Sequence, residues 1–304
     1  MIVKSKERSR VHSPGNGRAL SPIFYFNMSS TLEKLLKEKK FGEVANLLYR
    51  DRQQMVKKLI HCLEDSDEET QRGILNVLGR YGFDHPEDVY GYTGTIMKVL
   101  DDNPGLKSEG ACALGNLVFN FRDKSQEVLP LLQTMMLDDD PFVRQDAAYA
   151  IGNIGFNFPD LVEDQLPPLV KMLDSGSEDE QEAGAHALGK IGVNSPELIK
   201  DQFPKLVKVL RHAKETSCGG VVFAFGALGF NYPDMVREHM PILINYLKSS
   251  DATVVKNAIM AIGIIGMNSP DLIEDAIPCL QELAASKDKE IGLNAMVAMT
   301  RIKK

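Results

Sequence analysis

The residues able to do chemistry are scattered. His61, His85, His186, His212 and His239 stand at unrelated intervals, and no histidine is followed by a glutamate. Cys62, Cys112, Cys218 and Cys279 lie far apart without a CxxC pair. That argues against a disulfide framework or a zinc ribbon, and it suits a reducing, cytoplasmic setting. The HExxH, GxSxG and GxxxxGK[ST] signatures, which would place a metal, a nucleophile or a phosphate cradle, are absent. The sequence therefore assigns no catalytic residue, no metal ligand and no cofactor, and the expectation is a chain that is not an enzyme.

What does recur is glycine. Gly152, Gly189, Gly226 and Gly263 are 37 residues apart, and Gly155, Gly192, Gly229 and Gly266 keep the same step. "GNIG", "GKIG" and "GALG" would suggest a phosphate-binding loop only if they opened a helix. Here they fall within a helical pattern, where small residues allow close packing. Asn157, Asn194, Asn231 and Asn268 repeat in phase, as do Pro159, Pro196, Pro233 and Pro270. A second proline series runs through Pro130, Pro167, Pro204, Pro241 and Pro278. A fixed period of this length marks stacked units, each unable to bury its apolar face alone.

The segment from Leu166 to Gln202 shows how one unit is built. Leu166, Leu169, Val170 and Leu173 have helical spacing. "DSGSED" supplies turn and N-cap residues, and a second helix runs from about Asp179 to Ile191. Asn194 is read as a left-handed helix stop, and Ser195-Pro196-Glu197 as a fresh start. The second proline, Pro204 in the next unit, is expected to kink or split the first helix. The core stripe of the second helix is Val143, Ala147, Ala150, Ile151 and Ile154 in the third unit. Its equivalents are Glu180, Gly184, Ala187, Leu188 and Ile191, then Ser217, Val221, Ala224, Phe225 and Leu228, then Val254, Ala258, Ala261, Ile262 and Ile265.

Seven such units begin near Gln54, Thr93, Leu129, Leu166, Phe203, Met240 and Ile277. Domain limits follow. Residues 28–53, rich in Lys and Glu, form an N-terminal helical cap, and 54–304 form the repeat array. Residues 1–27 share nothing with the repeats and read as a disordered basic arm or a mispredicted start ahead of Met28. They carry a net charge of +4, leaving −11 of the total −7 for the remainder. An acidic body repels phosphate backbones, so nucleic acid is disfavoured and a basic protein partner is favoured. The uncharged stretch from Thr216 to Pro233 is at the lower edge of spanning length. Its four glycines and its repeat phase make it a buried helix, so no membrane partner is expected.

Units such as "LPLLQTMMLDDDPFVRQDAAYAIGNIG" resemble the HEAT-repeat family, in the version grouped with phycobilisome-lyase-type HEAT-like repeats, an ARM-type fold. The resemblance covers roughly 54–304. Asp138 or Asp139 with Arg144 matches the family's turn Asp and helix Arg, and Asp67 with Arg72 matches loosely. Gln181, Cys218 and Val255 replace the Arg in later units. The resemblance implies an all-α, right-handed solenoid whose second helices line the concave side. It also brings in enzymes of the same scaffold. Iron-dependent deoxyhypusine hydroxylases use His-Glu pairs that are missing here. Alkylpurine glycosylases use a basic concave face, against which the acidic body argues, and "KLVKVLRHAK" reads as the solvated face of a first helix. Bilin lyases remain an open comparison.

The remaining surface is the side of the second helix opposite its core. It holds Phe142, Gln145, Tyr149 and Asn153 in the third unit. Asp179, Glu182, His186 and Lys190 follow in the fourth, and they read as a solvated set. Thr216, Gly219, Phe223 and Ala227 come next, then Thr253, Lys256, Met260 and Ile264, then Glu290, Leu293, Val297 and Arg301. The stripe turns apolar at Phe223, Met260, Ile264, Leu293 and Val297, which with Tyr149 and Asn153 are the candidate partner-binding residues. Phe119, Phe121, Phe156, Phe158, Phe230 and Tyr232, around the turn Asn, read as staples between units. The expected function is a non-catalytic scaffold or adaptor that binds a peptide or partner helix in its groove. The alternative is an enzyme or nucleic-acid-processing module of lyase or glycosylase type. Self-association through the C-terminal unit is a further partner reading.

Overall fold

The computed structural model describes residues 31–49, 52–212 and 218–302. The basic segment 1–27 lies outside them. No strand occurs among the described residues.

Seven helices form an inner layer. They are α1 (Glu68–Asp84), α2 (Lys107–Val118), α3 (Pro141–Asn157), α4 (Glu178–Asn194), α5 (Gly219–Asn231), α6 (Ala252–Asn268) and α7 (Lys289–Ile302). Each is preceded by an outer helix, from Arg52–Asp65 in the first unit to Ile277–Ala284 in the seventh. Ahead of them, a helix over 31–37 and the helix Phe41–Leu48 bury Leu32, Leu36, Val44 and Leu48 in the same continuous core.

Inner helices start at side-chain caps. Asp67 accepts from the Thr70 N–H, Asp140 from Phe142, Ser177 from Glu180, and Asp251 from Thr253 and Val254. Each cap satisfies backbone donors that have no helical partner. The helices α3 to α6 stop because of proline. Phe158, Ser195, Tyr232 and Ser269 each precede a first-series proline. They leave the helix at φ between −130° and −141° with ψ between 65° and 74°. A residue before proline is driven out of the α region by the pyrrolidine ring.

This corrects the reading of the repeated Asn as a left-handed stop. Lys39 is the one non-glycine residue with positive φ among those described. The Asn instead ends its helix in ordinary geometry and reaches back one unit. Asn157 Nδ2 donates to the Phe119 carbonyl at 2.8 Å, Asn194 to Phe156 at 2.6 Å, and Asn268 to Phe230 at 2.7 Å. The second prolines do divide the outer helices: Pro167, Pro241 and Pro278 sit in the first turn of a new segment. Pro130 is the exception and lies inside the continuous helix Arg122–Met135. No proline stands at the first-series position of that unit, where Arg122 begins the helix.

The core stripe falls where its spacing puts it. Val143, Ala147, Ala150, Ile151 and Ile154 are buried, and so are Ala187, Leu188, Ile191, Val221, Ala224, Phe225, Leu228, Ala258, Ile262 and Ile265. Glu180 is buried with them and ion-paired to Arg144. Ser217 lies outside the described residues. Each inner helix packs on the next through a glycine and an alanine. A Cβ on Gly115 would stand 2.6 Å from the Ala150 Cα. The corresponding distances are 2.9 Å for Gly79 with Ala113, 3.0 Å for Gly189 with Ala224 and 2.8 Å for Gly226 with Ala261. The recurring GxxG is thus a packing device. Successive outer helices touch far less than successive inner ones. The array therefore closes on its inner side, and α1–α7 line a concave groove.

The turn arginines bond differently from the expected Asp–Arg pairing. Arg144 Nε donates to Glu180 Oε1 of the next unit at 2.6 Å, while Nη1 donates to the backbone carbonyls of Asp138 and Asp139. Arg72 likewise pairs with Glu109 of the next unit.

Candidate partner-binding groove

The floor of the groove is a row of one residue per inner helix, in which Tyr149, His186, Phe223, Met260 and Val297 follow one another. The rings are in contact. Tyr149 meets His186 edge-on at 5.3 Å, and His186 stacks on Phe223 at 5.5 Å. Tyr149 and Phe223 are half-buried by this contact. Burial, with Glu182 and Asp146 nearby, pushes the Tyr149 phenol up to about 12. Asn153, one turn along α3, donates from Nδ2 to Asn116 Oδ1 at 3.1 Å.

Along this row exposure increases toward the C-terminal units, whereas Phe142, on the same face in the third unit, is 65% exposed. Met260 is 38% exposed, Val297 40% and Leu293 61%. Met260 and Val297 line one cleft of about 410 Å³ between α6 and α7, with Lys256, Glu290 and Arg301 at its edges. Ile264 is half-buried and does not line that cleft. Leu293 stands outside it, one turn before Val297. On α6 and α7, two exposed apolar side chains, Met267 and Met296, were not among the residues singled out from the sequence as candidates. Met267 ends α6. Met296 is 51% exposed, whereas Ile259, its equivalent 37 residues earlier, is 1% exposed under α7. Met296 and Ile259 share one repeat phase, the position at which an inner helix meets the one that follows it.

The fourth unit departs most from the sequence reading. Glu182, His186 and Lys190 are half-buried, because α3 and α5 flank them with Tyr149 and Phe223. Burial drives the His186 imidazole down to about 4, with Lys190 adding to the shift. It also lowers the Lys190 ammonium and raises the Glu182 carboxyl. Glu182 Oε1 accepts from the Gly220 N–H at 2.5 Å, and Oε2 is buried without a partner. Asp146 is raised too, by burial and against a hydrogen bond from Ser108.

The turn aromatics pair across units. Phe83 stacks on Phe119 at 5.4 Å and Tyr90 on Phe121 at 4.2 Å. Arg122 covers Phe158 and Lys200 covers Tyr232. Lys205 pairs with Asp174 on the solvent side of an outer helix. Among the described residues no three His, Cys, Asp or Glu side chains gather as a metal site, and no helix is long and apolar enough to cross a membrane.

These features define the class: an all-α solenoid with a half-apolar concave groove. Residues 95–189 match the family model for HEAT repeats. No curated protein matches the chain. Among solved structures it is similar to a designed armadillo repeat protein, at 22% identity and a TM-score of 0.47, with 81% of this chain and 98% of that one covered. It is also similar to a designed armadillo repeat protein in complex with peptide (KR)4, at 21% identity and a TM-score of 0.48, over 81% and 98% of the two chains.

Proposed function

We propose that the protein is a non-catalytic scaffold that binds a partner segment along its concave groove, anchored on α5–α7. The carrying observation is the apolar side chains gathered on α6 and α7. Met260, Met267, Leu293 and Val297 are all exposed on α6 and α7. An exposed apolar strip along a groove is a docking surface for an amphipathic partner. The formal charge of −7 favours partners with an overall basic balance through long-range attraction.

The test places a photo-crosslinking amino acid at Val297 in the groove, or at Gln281 on an exposed outer helix, in the full chain. The same is done in a Phe223→Asp, Met260→Glu background whose fold is checked by circular dichroism. The reading expects a defined protein crosslinked through Val297, absent from Gln281, and lost in the double variant. Equal crosslinking from both positions would overturn it. So would retention in the double variant. Recovery of nucleic acid instead of protein would favour the processing-module alternative.

A further inference from the structure

Glu182, His186 and Lys190 lie at i, i+4 and i+8 of α4, on one line across the groove floor. His186 occupies the middle of that line, held between the Tyr149 and Phe223 rings. The two charged ends are each short of a partner. Glu182 has one buried oxygen that accepts nothing. Lys190 is half-buried on the same face, and no carboxylate forms an ion pair with it among the described residues. Taking a charge out of water without a counter-charge is unfavourable. The Gly220 N–H offsets part of that cost at Glu182 Oε1, but no counter-charge pairs with either end among the described residues.

The spacing indicates what would. Eight residues of α-helix span about 12 Å, and an α-helix with its side chains is about 10–12 Å across. A helix laid along the groove therefore rests on His186 and Phe223 while its two edges pass over Glu182 and Lys190. We propose that the groove selects a partner helix whose apolar stripe is flanked by a basic edge over Glu182 and an acidic edge over Lys190. This rests on the groove-binding reading above and specifies its partner. An occupant basic on both edges leaves Lys190 facing a like charge, and one acidic on both edges does the same to Glu182.

The probes are synthetic helical peptides of about 20 residues, about 30 Å long, enough to cover three inner helices. All share one leucine stripe. Their flanks are Lys on one side and Glu on the other, Lys on both, Glu on both, or Gln on both. A fifth peptide is the Lys/Glu form with two central prolines. Fluorescence anisotropy with the full chain reads each Kd. The Lys/Glu peptide is expected to bind about tenfold more tightly than the uniformly charged ones. Glu182→Gln, which keeps an acceptor for Gly220, should abolish its advantage over the all-Glu peptide. Lys190→Met should abolish its advantage over the all-Lys peptide.

Tightest binding by a uniformly charged peptide, or unchanged preferences in both variants, overturns the two-edged partner while leaving the groove reading intact. Equal binding by the proline-containing peptide overturns the helical form of the partner. If no peptide binds, the Gln-flanked one included, the groove reading fails and this inference fails with it.

Discussion

Gly152 and Ala187 meet backbone to backbone: a methyl group on the glycine would stand 2.7 Å from the Ala187 Cα. Neither partner can retreat, since each is held in a helix packed on both sides. Gly152→Ala is therefore expected to destabilise the protein by about 1–3 kcal/mol, the range for overpacking. Gly42, exposed in the first turn of the helix Phe41–Leu48, has nothing within 4 Å of its added Cβ. There the same change should stabilise by about 0.5–1 kcal/mol through backbone entropy. Urea denaturation of both variants checks the opposite signs. Two effects of the same sign would mean that the inner helices are not in register as described.

The repeated Asn gives a graded prediction. Asn157, Asn194 and Asn268 each tie a unit to the carbonyl end of the preceding inner helix, whereas Asn231 bonds only the Ala227 carbonyl of its own helix, at 3.4 Å. Replacement by alanine should cost about 1 kcal/mol at each of the first three positions and clearly less at Asn231. The triple variant should show near-additive loss, because the sites are far apart. Uniform effects across all four positions would return the Asn to a local helix-ending role.

This Asn also shows where the sequence stops being legible. Its spacing, and that of the glycines and prolines, fixes the period and the inner-helix core, because those signals act within one unit or repeat identically in every unit. The hydrogen bond from Asn157 to Phe119 joins residues 38 apart, and nothing in the local pattern announces it. Glu182, His186 and Lys190 failed for the same reason. Three polar residues on one helix face look solvated until α3 and α5 bring Tyr149 and Phe223 against them. Met260 and Val297 share a repeat phase and could be placed on one face, but the cleft between them is a property of two packed helices.

Arg144 should matter more than a surface arginine. It holds the Asp138 and Asp139 carbonyls and the Glu180 carboxylate together, and Glu180 sits at a core position with 9% exposure. Arg144→Met keeps the aliphatic stem but removes that carboxylate's counter-charge, leaving it only the Ser175 hydroxyl among the described side chains, at an expected cost of about 2–4 kcal/mol. Adding Glu180→Gln should recover part of the loss, as no charge then remains unpaired. A thermal melt of the single and double variants decides this. A single variant within about 0.5 kcal/mol of the parent would place Arg144 among ordinary surface ion pairs.

His186 predicts the acid side of the stability curve. Its folded pKa of about 4 lies below the ordinary value of 6.5, because burial penalises the imidazolium. As pH falls from 6.5 toward 4, the unfolded chain takes up this proton and the folded chain does not. Stability therefore declines across that window, by up to about 3 kcal/mol for a separation of this size. Glu182 and Asp146 act in the opposite sense: their raised folded values stabilise the protein at low pH and lose that contribution as pH rises through them. The total curve mixes both, so the informative quantity is the difference between the parent and His186→Phe, which keeps a ring against Phe223 and removes the proton site. Denaturation at pH 7 and pH 4 should show the parent losing more stability than the variant, with Glu182 and Asp146 contributing equally to both. Parallel losses in the two proteins would mean that His186 is protonated freely in the folded state and that the floor of the fourth unit is open to water.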